Sequence, residues 1–238
     1  TMVVGLGTAG CRMAAAVNKR ATKEDVEEYV KVLGIDSRPE EATHTLPTDA
    51  SQLSLEIDES FWKQEQGRLP YLKEEHELPP AGGAARQRPV GRCFVDNPDG
   101  LEQTWQFLEQ HTEAFVSQLD ESVSDTPVTE LNVWIVNSLA GGTGSGAFPV
   151  VAGLVEELLT ELEASRDIET TLRGVGSLHR LDRLAEQVRK PERPPAYYLN
   201  AYTALSDLQV LLYDESTPVS LHPEASQFVK DKIDVGGV

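Results

Sequence analysis

Ser138-Leu139-Ala140-Gly141-Gly142-Thr143-Gly144-Ser145-Gly146 decides how this chain is read. The apolar run before it, Leu131 to Val136, reads as a buried strand. The run after it, Ala147 to Leu159 and on to Leu162, has the 3.6-residue spacing of a helix. Strand, glycine-rich turn and helix together make a phosphate cradle. Glycine lets backbone N–H groups approach an anion, and a helix start adds unpaired donors and partial positive charge. Thr143 and Ser145 add hydroxyls. No lysine follows the last glycine, so the pattern is not that of P-loop NTPases. A merely flexible glycine turn would not need the flanking strand and helix.

Two more glycine loops extend the pattern. At the start, Thr1 to Val4 is a strand stub, Gly5-Leu6-Gly7-Thr8-Ala9-Gly10 is a turn, and Cys11 to Val17 is helical. Gly5, Gly7 and Gly10 form a dinucleotide-binding fingerprint, and Asp36 ends a second strand over Tyr29 to Ile35, where a ribose-binding acid would stand. On this evidence an NAD-dependent oxidoreductase of Rossmann type is a real alternative. The third loop, Gly82-Gly83-Ala84-Ala85-Arg86-Gln87-Arg88-Pro89-Val90-Gly91-Arg92, concentrates arginine in an acidic chain. Guanidinium pairs bidentately with phosphate. The plainer alternative for Arg86, Arg88 and Arg92 is a solvated basic loop or an internal ion pair.

The Ser138–Gly146 run resembles the signature loop of the tubulin/FtsZ superfamily, with Ala140 where that family has glycine. Gly7 to Arg12 resembles the family's first nucleotide loop, and Arg12 stands where an amide is usual. Asp36-Ser37-Arg38-Pro39 resembles the Asp-x-Glu-Pro of the second loop. The third loop is similar to the Gly-Ala-Gly loop, with Ala85 in place of glycine, and its Arg88-Pro89-Val90-Gly91-Arg92 matches a microbial, haloarchaeal tubulin-like branch. Asn200-Ala201 after Tyr198-Leu199 resembles Tyr-Asn-Ala of tubulin, whose Asn lies near the base. The resemblance implies a three-layer α/β domain with a parallel sheet, Rossmann-like, that binds GTP or GDP. It implies nucleotide contacts at Gly7, Thr8, Ala9, Gly10, Cys11, Arg12, Ala84, Ala85, Arg86, Ser138, Ala140, Gly141, Gly142, Thr143, Gly144, Ser145 and Asn200. It also implies magnesium held through water by Asp36, as suits a hard cation. Self-association into cytoskeletal or cell-division filaments follows from it, with a non-polymerising GTP-binding scaffold as a further alternative. The family's catalytic acids lie in a later loop and act on a neighbouring subunit's nucleotide. Asp231 and Asp234 only faintly resemble that loop, so no catalytic residue is assigned. Asp182 and Glu192 are candidates for the ribose.

Residues 1–214 read as one GTP-binding domain, with a charged, exposed insertion at about 56–80. Residues 215–238 read as an incomplete continuation, with the second domain absent. Leu101 to Leu119 is amphipathic, with Trp105 on its apolar face, and follows a turn over Asp96 to Gly100. Thr171 to Gly176 is a short strand, Leu178 to Val188 is helical or loop-like, and Tyr197 to Leu212 is a helix. Strands alternating with helices argue a parallel sheet, whose ligands bind at the carboxyl ends of the strands.

Composition sets the surroundings. The 238 residues carry 39 acidic against 21 basic side chains, a formal charge of −18. That field repels a nucleic-acid backbone. Lysine is the minority cation, and an acidic, lysine-poor surface suits concentrated salt, where repulsion is screened within roughly 3 Å at 1 M. A halophilic source is expected. Cys11 and Cys93 fit no metal spacing or disulfide framework and suit a reducing cytoplasm. No apolar run reaches membrane-spanning length. His44, His76, His111, His179 and His222 are scattered and suggest no catalytic dyad.

Overall fold

The computed structural model describes residues 1–37, 46, 51–79, 82–122, 128–178 and 196–213. Five parallel strands form one sheet in the order β3-β2-β1-β4-β5. They are β1 (Met2–Leu6), β2 (Lys31–Asp36), β3 (Ser51–Ser54), β4 (Glu130–Ser138) and β5 (Glu169–Ser177). The helices are α1 (Gly7–Lys23), α2 (Glu59–Glu65), α3 (Arg88–Cys93), α4 (Pro98–Ser122), α5 (Thr143–Ser165) and α6 (Ala196–Tyr213). Met2 pairs with Lys31 on one side and Val133 on the other, which brings the ends of β1, β2 and β4 level. The α/β fold with a parallel sheet is as the sequence predicts.

Alternation along the strands divides the core in two. Met2, Val4, Leu6, Leu33, Ile35, Leu131, Val133 and Ile135 face one way and join the buried faces of α4 and α5. Val3, Val32 and Val136 face the other way and pack with Cys11 and Ala14 of α1. Side chains one residue apart point to opposite faces of a strand, and parallel strands covered on both faces are apolar throughout. On the α1 side the helix lies very close to the sheet. A β-carbon on Gly10 would sit 2.3 Å from the Val136 carbonyl oxygen, and one on Gly5 would sit 2.6 Å from that of Gly10. These two glycines of the first loop serve helix–sheet packing.

Several boundaries move, each for a local reason. The second strand starts at Lys31, because Glu27–Tyr29 is a short 3-10 turn. The long helix α4 begins at Pro98, inside the stretch read as a turn. Asn97 caps it, its Oδ1 accepting from the Gly100 amide at 2.9 Å, and proline suits the first helical position. Trp105, Leu101, Leu108 and Phe115 are buried in that helix as expected. Segment 56–79, read as an exposed insertion, is largely exposed or half-buried, but it is anchored at a few points. Asp58 caps α2 by accepting from the amides of Ser60 and Phe61, and Trp62, Leu69 and Leu72 enter the main core. The expected continuation 215–238 and, of the stretch Leu178 to Val188, all but Leu178 lie outside the described residues.

Both cysteines are free and fully buried. Burial, reinforced by Asp36 at Cys11 and by Asp96 at Cys93, pushes both thiols up to about 12. The nucleophile is the thiolate, so neither thiol should react while the fold is intact. A disulfide reagent at pH 8 should find no fast-reacting thiol in the native protein and two after denaturation. Rapid labelling of either cysteine in the native state would contradict this packing.

Candidate functional site

Leu6, Asp36 and Ser138 are the last residues of β1, β2 and β4, and all three line one cavity of about 500 Å³. Its walls are Gly7, Thr8 and Ala9 of the first loop, Gly83, Ala84, Ala85 and Arg86 of the third, Gly141, Gly142, Thr143 and Gly144 after β4, and Tyr197 of α6. The three glycine loops therefore converge on one site.

Backbone packing holds them there. Gly7 has φ +66, and a β-carbon on it would lie 2.7 Å from the Gly144 nitrogen. One on Gly144 would lie 2.3 Å from the Leu6 carbonyl oxygen. One on Gly142 would lie 2.9 Å from the Ala84 β-carbon and 3.0 Å from the Arg86 nitrogen. Only glycine permits this interlocking. Helices α1 and α5 both open on the cavity, with no acidic residue in the first turn and no side-chain cap. Their first amides are the donors that an anion satisfies. Ser138 adds a buried hydroxyl with no hydrogen-bond partner among the described residues. An orphaned hydroxyl beside uncapped helix starts fits an oxygen-rich anionic ligand.

Asp36 is the one carboxylate, and Arg86 the one guanidinium, among the described residues of the wall. Asp36 is buried, accepting from the Thr8 hydroxyl at 2.8 Å and from the Ser37 amide at 2.8 Å. The Ser37 and Thr143 hydroxyls meet at 2.6 Å, joining the second loop to the Ser138–Gly146 loop. Arg86 lies over the Tyr197 ring at 4.7 Å. Ala85 and Arg86 have φ of 42 and 65, the left-handed region that glycine takes freely.

Other expected contacts go elsewhere. Gly10 and Cys11 are buried against the sheet, and Arg12 is exposed on α1 outside the wall. Ser145 turns its hydroxyl and carbonyl to Arg88 Nε, at 3.1 and 3.2 Å. Pro149 has no N–H to return to that carbonyl, so the guanidinium takes the place of a helix hydrogen bond. Arg88 also pairs with Asp207. Arg92 pairs with Asp96 at 3.1 Å and lies over Tyr71 at 4.3 Å. The ion-pair alternative therefore holds for Arg88 and Arg92. Ala140 and Asn200 lie behind the wall, with the Asn200 amide donating to the Ala140 carbonyl at 3.2 Å. Leu6, Gly83 and Tyr197 were not among the expected contacts. Gly83 lay within the quoted third loop, whereas Tyr197 carried no local signal. Arg38, Asp182, Glu192, Asp231, Asp234, His44, His179 and His222 lie outside the described residues. No group of three or more metal-ligating side chains occurs among the described residues.

A family model described as tubulin like matches residues 2–232. The chain belongs to the tubulin-like family. The dehydrogenase alternative loses its ground with that match. Among solved structures, CetZ1 of Haloferax volcanii, a GDP-bound monomer, is 16% identical over 87% of this chain and 47% of its own, with a TM-score of 0.52. That similarity shows a shared fold. TubZ of Bacillus thuringiensis serovar israelensis, a GTPγS-form protofilament, is 16% identical over 91% of this chain and 43% of its own, with a TM-score of 0.49. A mutant FtsZ of M. jannaschii is 17% identical over 99% of this chain and 55% of its own, with a TM-score of 0.47. The tubulin-like chain thus spans about half the length of these structures. No curated protein matches it in sequence.

Gly141 separates phosphate approach from packing. It lines the cavity, and a β-carbon there would have nothing nearer than 3.5 Å. Gly141→Ala should melt within a few degrees of the parent and yet bind nucleotide more than tenfold more weakly, a loss of more than about 1.4 kcal/mol. Gly144→Val should instead lower the melting temperature sharply, because its side chain meets the Leu6 carbonyl. Unchanged affinity in a folded Gly141→Ala protein would return this loop to a packing role.

Proposed function

We propose that this chain binds a guanine nucleotide, GTP or GDP, as the nucleotide-binding part of a filament-forming tubulin-like protein. The observation that carries the reading is the convergence of three interlocked glycine loops and two uncapped helix starts on one cavity at the strand ends. Phosphate oxygens would accept from the amides of the Gly7–Ala9 and Gly141–Gly144 stretches and from the Ser138 hydroxyl. Arg86 supplies a cation at the wall. Asp36, already oriented by Thr8 and Ser37, has an oxygen-rich position suited to a hydrated magnesium ion.

Guanine specificity is supported by family membership and by the GDP bound in CetZ1. Self-association is supported by membership in the tubulin-like family. The two buried free thiols suit a cytoplasmic setting, and no described helix is long and apolar enough to cross a membrane. The acidic surface suits a halophile.

Thermal unfolding with GTP, GDP, ATP and NAD tests the ligand class. A ligand at 100 times its dissociation constant stabilises the fold by roughly 2.7 kcal/mol. GTP and GDP should raise the melting temperature most. A rise with NAD and none with either guanine nucleotide would overturn the proposal. Pelleting with GTP and magnesium distinguishes filament formation from a non-polymerising scaffold.

A further inference from the structure

Helix α6 touches the site along one stripe: Tyr197, Asn200, Ala204 and Asp207, three or four residues apart. Tyr197 lies beneath the Arg86 guanidinium, and Ala204 is buried. Asp207 pairs with Arg88. Asn200 is buried between them, and its Nδ2 donates to three backbone carbonyls: Arg86 at 2.7 Å, Ala140 at 3.2 Å and Gly141 at 3.2 Å. Three carbonyl acceptors fix which end of the amide faces them, since the amide oxygen would be repelled. An amide nitrogen has two hydrogens. With three acceptors already in place, one of those bonds is shared and both N–H groups are spent on the protein, while the amide oxygen keeps its capacity to accept.

We propose that Asn200 is a positioning residue that clamps the third loop to the Ser138–Gly146 loop, setting the spacing of the amides that face the phosphates. The proposal rests on the nucleotide reading above and adds a second role to the base-side position that the family resemblance implies for this residue. Arg86 and Ala140 are remote in sequence, and the clamp joins them through α6. Arg88 and Asp207 hold the same helix one stretch further along. The left-handed backbone at Ala85 and Arg86 needs such a restraint, because an L-residue there relaxes when its surroundings allow.

The base-contact and clamp roles predict different losses. The chain and its Asn200→Ala, Asn200→Asp and Asp207→Ala variants are titrated with GDP, ADP and inorganic pyrophosphate. Hydrogen exchange of the ligand-free proteins is followed over 84–86 and 139–143. Both Asn200 variants should weaken pyrophosphate, which has no base, tenfold or more, and GDP by at least as much. Exchange should quicken in both loops while the sheet stays protected. Asp207→Ala, which keeps the amide, should show the same pattern more weakly, so the test survives if an Asn200 variant folds poorly. A collapse of guanine preference with pyrophosphate affinity and loop exchange unchanged would overturn the clamp, as would no change at all. If the parent binds pyrophosphate but no guanine nucleotide, the functional reading fails and the clamp stands or falls on pyrophosphate and exchange. If it binds neither, loop exchange alone decides the clamp.

Discussion

Gly144 and Gly7 touch where no side chain fits, and the rest of the site depends on that contact. A β-carbon on either would run into the other loop's backbone, at 2.3 Å from the Leu6 carbonyl or 2.7 Å from the Gly144 nitrogen. Because β1 and β4 are neighbours in register, the two strands deliver their following loops to the same place. The glycines then let both helices start there, with their first amides facing one space. The missing side chains thus do two things at once: they let the backbones pack, and they leave amide donors on the cavity side.

The remaining loops are tied to this pair by longer-range contacts. The third loop is held by Gly142 against Arg86, by Asn200 through α6, and by Arg88 against the Ser145 carbonyl that Pro149 leaves free. The second loop is joined by the hydroxyl pair of Ser37 and Thr143. Charge is sparing at the wall, with Asp36 and Arg86 alone among its described residues. Phosphate binding in such a site rests mainly on backbone dipoles, which cost little reorganisation once the glycines have fixed them.

How much of this was legible depended on how local the cause was. The glycine loop at 138–146 was readable because strand, turn and helix are contiguous. The parallel sheet was readable because strands alternate with helices along the chain. Asn97-Pro98 was a local helix start hidden by its resemblance to a turn. The anchoring of segment 56–79 was hidden because its few buried groups, Trp62 and Leu72 among them, sit among charged and exposed residues. The partners of Arg88 were not legible at all. Ser145 lies 57 residues away and Asp207 lies 119 away, so only the fold could show that this arginine is spent internally. Tyr197 and the clamp at Asn200 were hidden for the same reason.

The central claim is that the backbone amides of three loops meet one nucleotide. Amide chemical shifts on addition of GDP with magnesium test it most directly. The account predicts the largest shifts at Gly7–Ala9, Gly83–Arg86 and Ser138–Gly144, with the outer strand β5 left unmoved. Shifts confined to one loop, or clustered on another face of the sheet, would contradict it.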